Sequence, residues 1–278
     1  MNAPHPAADS AAAPVVEQAP APQFEEALKT LRIRRDGAVL HIELDTPDQG
    51  NAVTEAVLDD LLSVLEDPDP SVRVVVLSGA GRDFSLGGDR TEFAGYLAAD
   101  PTGSGIRASG AKARRVCEAL TGHHAVTIAR AQGKAIGAGL ALVLACDLRV
   151  GSESASFRLP ELALGLPTAW GGLLPRLLSE VGAAQVRELV LTGRPFGAEE
   201  ALALSVLQRV VPEDELDAAV DAWANPLVRR PADALRVDKM LFNAYAAPAR
   251  LADASAFDSE LMASVLAASR YTATHGET

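Results

Sequence analysis

The run from Gly133 to Asp147 constrains this chain more than any other stretch: Gly-Lys-Ala-Ile-Gly-Ala-Gly-Leu-Ala-Leu-Val-Leu-Ala-Cys-Asp. The apolar segment Ala125 to Ala129 before it reads as a strand. The alanine- and leucine-rich stretch after Gly139 reads as a helix. Between them, Gly137, Ala138 and Gly139 make a turn of small residues that lets a ligand approach the backbone. A helix starting there aims unpaired N–H groups and the positive end of its dipole at that ligand. Such a turn suits an anion, or an oxygen that becomes anionic during reaction. The first helical turn, Leu140-Ala141-Leu142, holds no acid or base.

The chain of 278 residues has room for one large α/β domain with a helical appendix. Nearly half its residues are hydrophobic and 22% are charged, enough for a sizeable core. The net charge of −12 disfavours nucleic acid as a partner. Cys117 and Cys146 are too few for a disulfide framework and read as buried free thiols. The apolar run Ala135 to Cys146 falls short of the roughly 20 residues a membrane span needs. Residues 1–27 are rich in alanine and proline, lack periodicity, and carry no Lys or Arg before Lys29. They read as a disordered tail rather than a signal or transit peptide, which points to the cytoplasm.

Two alternating runs flank Asp36-Gly37 and predict a hairpin. Thr54 is placed to cap a helix reaching about Leu65. Val72 to Leu77 has the continuous apolar character of a strand buried on both faces. The segment Phe84-Ser-Leu-Gly-Gly-Asp89 is a second tight turn. Residues 91–107 read as a mobile loop, and Ala108 to Leu120 as a helix. From Gly171 onward helical patterns dominate, with Leu207 to Val210 as a strand. This divides the chain into a tail over 1–27, an α/β core over 28–200 and a helical region over 201–278.

These segments, in this order, resemble the crotonase superfamily, the enoyl-CoA hydratase/isomerase family. Phe84-Ser-Leu-Gly-Gly-Asp89 is similar to the family's Phe-Ala-Ala-Gly-Ala-Asp, and Gly133 to Ala141 to its Gly-x-Ala-x-Gly-Gly-Gly-x-Glu. Phe157-Arg-Leu-Pro-Glu161, Gly171-Gly172 and Leu191-Thr-Gly-Arg follow as in the family. The resemblance implies a spiral of ββα units with C-terminal trimerisation helices, and a homotrimer or a dimer of trimers. It implies an acyl-CoA thioester as substrate and a backbone oxyanion hole for its enolate. The two N–H donors then fall on Gly88 and Ala138. Coenzyme A enters as part of the substrate, and neither a separate cofactor nor a metal is expected.

Family hydratases use two glutamates, one on the water and one managing the proton. The second falls on Glu161, but the first falls on Ala141, which has no titratable group. A single base beside an oxyanion hole suits double-bond isomerisation, because one carboxylate can move a proton between C2 and C4 without activating water. Dehydration, a specialised hydration or decarboxylation are the enzymatic alternatives, and a catalytically silent scaffold is the alternative from another class. Asp89, Glu92, Tyr96, His123 and His124 are weaker candidates for an additional acid or base. The resemblance places substrate contacts at Asn51, Ala52, Ser85, Gly87 and Gly137, and Trp170 as a wall of the acyl pocket. The basic residue that usually precedes the Asn51-Ala52 pair is missing, which leaves an acyl-carrier protein open in place of CoA.

Overall fold

The computed structural model describes residues 23–25, 28–66, 69–246 and 254–269. Strand β1 (Gln23–Glu25) is followed by β2 (Leu31–Asp36) and β3 (Val39–Leu44), the hairpin expected around Gly37, whose φ is +55°. Helix α1 (Glu55–Leu65) starts where the Thr54 hydroxyl accepts the Val57 N–H. Then come β4 (Val74–Gly79), α2 (Arg90–Ala99), α3 (Ser104–Gly122), β5 (Val126–Ala131), β6 (Lys134–Ile136) and α4 (Ala138–Ala145). Next are β7 (Leu148–Ser152), β8 (Ser156–Arg158), a 3-10 turn over Glu161–Leu164, α5 (Leu173–Glu180) and α6 (Ala183–Thr192). The chain continues through β9 (Phe196–Gly197), α7 (Ala198–Ala203), β10 (Arg209–Val211), α8 (Leu216–Val228), α9 (Ala232–Ala246) and α10 (Asp258–Ser269).

The large sheet has the order β1-β2-β3-β4-β5-β7-β10; it is antiparallel up to β3 and parallel beyond. The apolar run of β4 is explained by burial on both faces. Val75 and Leu77 join the main core, shared with α1, α3 and α4. Val74 and Val76 pack instead with Ile128, Val150 and the α8 residues Leu216 and Val220. All eight residues of α4 are buried, so it carries no polar face. α9 is anchored by Lys239, whose ammonium reaches Asp147 at 2.7 Å and the Leu120 and Ala125 carbonyls.

Three parallel strands of the main sheet, β4, β5 and β7, each lead into a short second-layer segment and then into a helix or 3-10 turn. β5 leads through β6 to α4, and β7 through β8 to the Glu161 turn. β4 leads through Ser85, bridged to Ala135, and Gly88, bridged to Val53, into α2. Helix N-termini from successive turns of the spiral are thereby stacked side by side. Repetition of strand, second-layer segment and helix is the architecture that the resemblance implies.

Three details differ from the sequence reading. The stretch 91–107, read as a loop, is mostly helix, because Asp89 caps α2 by accepting the Thr91 and Glu92 N–H groups. The large sheet takes its last strand from Arg209–Val211, beyond residue 200, so the sheet and the helical region share one core. Most of the expected tail lies outside the described residues, but Gln23–Glu25 within it pair with β2. Among the described residues, no helix is long and apolar enough to cross a membrane.

Candidate active site

Three successive turns of the spiral meet around Gly87-Gly88, Gly137-Ala138 and Glu161. The first is held by backbone. Ser85 N–H donates to Lys134 O and Ile136 N–H to Ser85 O, both at 3.0 Å, which fixes this turn against β6. The buried Ser85 hydroxyl donates to Asn51 O at 2.8 Å and accepts the Gly87 N–H at 3.2 Å. Gly87 has φ of +95°, and a Cβ there would lie 2.7 Å from Ile136 O and 3.7 Å from Ala138 N. Only glycine lets the two turns approach this closely. Gly88 follows, and the tip of the Phe93 ring sits 3.3 Å from where its Cβ would be.

In the second turn Gly137 adopts φ 52°, ψ −114° and donates to Arg158 O at 3.0 Å, while its carbonyl accepts the Ala141 N–H. Ala138 supplies the first N–H of α4, which the helix geometry leaves without an internal acceptor. Neither the Gly88 nor the Ala138 amide has an acceptor among the described residues. Gly139 lets α4 pack on the first turn, since a Cβ there would lie 2.7 Å from Ser85 O.

The third turn brings in Glu161. A Cβ on Gly137 would stand 2.9 Å from Glu161 Oε1, so this carboxylate abuts the turn that carries the Ala138 amide. Glu161 is 8% exposed, and its Oε2 is buried with no hydrogen-bond partner among the described residues. Burial pushes its pKa from 4.5 up to about 7, opposed only by its own backbone N–H. An unpaired carboxyl titrating near neutrality is suited to accepting and returning a proton.

That shift has a consequence for stability. A carboxyl whose pKa is raised on folding contributes stability that is fully present below pH 4.5 and lost as the pH rises through about 7. The loss is about 3 kcal/mol, at 1.36 kcal/mol per pH unit between 4.5 and 7. Glu161→Gln is therefore expected to melt several degrees above the wild type at pH 8, with the difference closing toward pH 4.5. Melting curves across this range check it; equal melting temperatures throughout would contradict the burial-driven shift.

Asn51 and Ser85 lie beside the site, with their polar groups engaged inside the fold. Asn51 holds φ 50°, donates through Nδ2 to the Ala80 and Asp83 carbonyls, and accepts the Thr46 N–H. Both residues frame the Gly87 turn, as does Val53, whose N–H donates to Gly87 O. Ala52 is half-buried just before Val53, and its carbonyl accepts the Thr54 N–H. Trp170 is packed into the main core. Glu92 binds the Glu55 N–H, and Tyr96 donates to the Glu55 carboxylate, so both serve the start of α1. His123 accepts the Ala125 N–H through Nδ1 and burial lowers its pKa to about 4. Cys117 and Cys146 are buried thiols pushed up to about 12. Phe93 escaped the sequence reading because its helix was read as a loop.

Ala141 lies one helical turn beyond Ala138 and lines a cavity of about 360 Å³, together with Arg114, Cys117, Thr121, Gly171 and Leu173. Glu118 is the one acid on that lining, and its Oε1 is held by Arg114 Nε at 2.6 Å. Asp258 sits at the cavity's edge, where Oδ2 accepts the Gly172 N–H at 3.2 Å, and among the described residues no unpaired carboxylate is on the lining that holds Ala141.

Residues 34–275 match the enoyl-CoA hydratase/isomerase family model. A probable enoyl-CoA hydratase of Mycobacterium bovis is 31% identical over 217 residues, 77% of this chain and 81% of its own length. The carnitinyl-CoA dehydratase of Salmonella enteritidis is 36% identical over 78% of this chain and 81% of its own. Among solved structures, an enoyl-CoA hydratase from Bacillus anthracis aligns with a TM-score of 0.72 at 30% identity, over 77% of this chain and 83% of its own. A monofunctional enoyl-CoA isomerase from M. smegmatis aligns at 0.66 and 30% identity, over 78% of this chain and 94% of its own. With its spiral of strands and helices and its match over most of its length, the chain belongs to the enoyl-CoA hydratase/isomerase family of acyl-CoA enzymes.

Proposed function

We propose that this enzyme shifts the double bond of an enoyl thioester, with Glu161 as the sole proton carrier and the Gly88 and Ala138 amides as the oxyanion hole. The carboxylate takes a proton from C2 of a 3-enoyl thioester. The C–H electrons move toward the thioester carbonyl, whose oxygen becomes the dienolate oxyanion against the two amides. Glu161 returns the proton at C4, the 2-enoyl product forms, and no water or other reactant is consumed. The reaction requires no cofactor beyond the CoA, or carrier pantetheine, that bears the acyl group.

The observation that supports this reading best is the pairing of a buried, partnerless Glu161 with Ala141 at the position of the other family carboxylate. Hydration needs an activated water, and each acid–base group contributes about 10²–10⁴-fold. With one carboxylate, hydration is expected to lag by that factor. Product analysis with 3-enoyl- and 2-enoyl-CoA tests it: interconversion should outpace formation of the 3-hydroxyacyl product by at least two orders of magnitude. Hydration of crotonyl-CoA at the faster rate would overturn the reading. Dehydration of a hydroxyacyl thioester is the second reading, favoured by the 36% identity to a carnitinyl-CoA dehydratase.

Assembly as a homotrimer or a dimer of trimers is part of the same proposal. It is supported by the exposed apolar residues of α9, where Met240, Phe242 and Tyr245 are 60%, 72% and 80% exposed.

A further inference from the structure

The cavity beside Ala141 carries chemistry that proton transfer does not use. Its volume of about 360 Å³ suits a small ligand group. One wall is α4, where Ala141 and Ala145 follow Ala138 at helical spacing, and Ala141 lies about 4.5 Å along the helix axis from Ala138. The facing wall is α3, with Arg114, Glu118 and Thr121.

The polar groups on these walls are unequally satisfied. Arg176 donates to Thr121 Oγ1 at 2.9 Å and to the Leu144 carbonyl. Thr121 in turn donates to Ala145 O at 3.2 Å. Arg114 gives Nε to Glu118, but its Nη1 is buried with no hydrogen-bond partner among the described residues. A buried donor left unmatched is costly and calls for an acceptor. The carboxylates around this lining are already engaged: Glu118 holds Arg114 Nε, Glu180 lies 3.9 Å from Arg176, and Asp258 accepts the Gly172 N–H, which leaves Arg114 Nη1 as the unmatched donor. A glutamate in place of Ala141 would both fill the space and repel an anion.

We propose that this cavity receives the far end of the acyl group and that Arg114 Nη1 pairs there with a carboxylate oxygen, making short dicarboxylic acyl thioesters the preferred substrates. The inference rests on the reading of Gly88, Ala138 and Glu161 as the thioester site. It gives the alanine at 141 a second consequence. The missing carboxylate weakens hydration and also leaves room beside Arg114 Nη1 for an anionic acyl terminus.

Calorimetric affinities of four unreactive thioesters test it: glutaryl-CoA against pentanoyl-CoA, and adipyl-CoA against hexanoyl-CoA. In at least one equal-length pair the dicarboxylate should bind about tenfold or more tightly. Arg114→Met should bring that ratio close to one, and Arg114→Lys should keep part of it. Equal or weaker binding of both dicarboxylates by the wild type would overturn the proposal, as would a preference that survives in Arg114→Met. The wild-type ratios decide even where a variant folds poorly. Arginine-dependent preference without proton exchange on any enoyl thioester would leave the cavity reading standing and remove the isomerase reading. Exchange without preference would do the reverse, and failure of all four thioesters to bind would remove both.

Discussion

Replacing Glu161 by glutamine is expected to slow double-bond migration by about 10²–10⁴-fold, the usual contribution of one acid–base group. The amide keeps the shape of the carboxyl and the fit against Gly137 but cannot take a proton. The loss should appear in kcat, because the side chain acts on the C2 proton rather than holding the thioester. Wild-type kcat/KM should rise with pH and level off above about 7, since the base works ionised and burial places its pKa there. Glu161→Gln should flatten that limb. Steady-state kinetics between pH 5 and 9 check both expectations, and a limb unchanged in the variant would assign it to another group.

Ala138→Pro is the second large effect. Proline is accepted at the first position of a helix, where its missing N–H costs no helical hydrogen bond. The substitution at the start of α4 thus deletes the proposed oxyanion donor with little else. A loss of about 10²–10³ in kcat is expected, as for other single oxyanion-hole donors. The pH limb near 7 should persist, because Glu161 remains in place. Kinetics together with a melting curve check this. Near-normal kcat in a folded Ala138→Pro protein would show that the amide does not face the enolate oxygen.

The parts of this fold legible in the sequence are those where local pattern and tertiary burial agree. The β4 run is apolar throughout because Val74 and Val76 face one core and Val75 and Leu77 the other. Gly137 is required twice, by its positive φ and by Glu161 behind it. α2 was hidden because Gly95 interrupts its pattern and Pro101, Gly103 and Gly105 follow closely; its start is set by the Asp89 cap after two glycines. Strands β6 and β9, of three and two residues, are too short to leave a periodic signal. Side-chain direction was also beyond the sequence. Asn51 and Ser85 turn inward to hold the Gly87 turn, and Arg114 comes to line one cavity with Ala141 only where α3 packs on α4.

In the proposed reaction one carboxylate moves one proton on a thioester enolate, with no water added. Its most direct measurement is mass spectrometry of a 3-enoyl-CoA incubated with the enzyme in D₂O. Deuterium is expected at C2 or C4 of the enoyl product, with no mass gain from water and with loss of this exchange in Glu161→Gln. A hydrated product formed at ordinary hydratase rates, or exchange undiminished in Glu161→Gln, would contradict it.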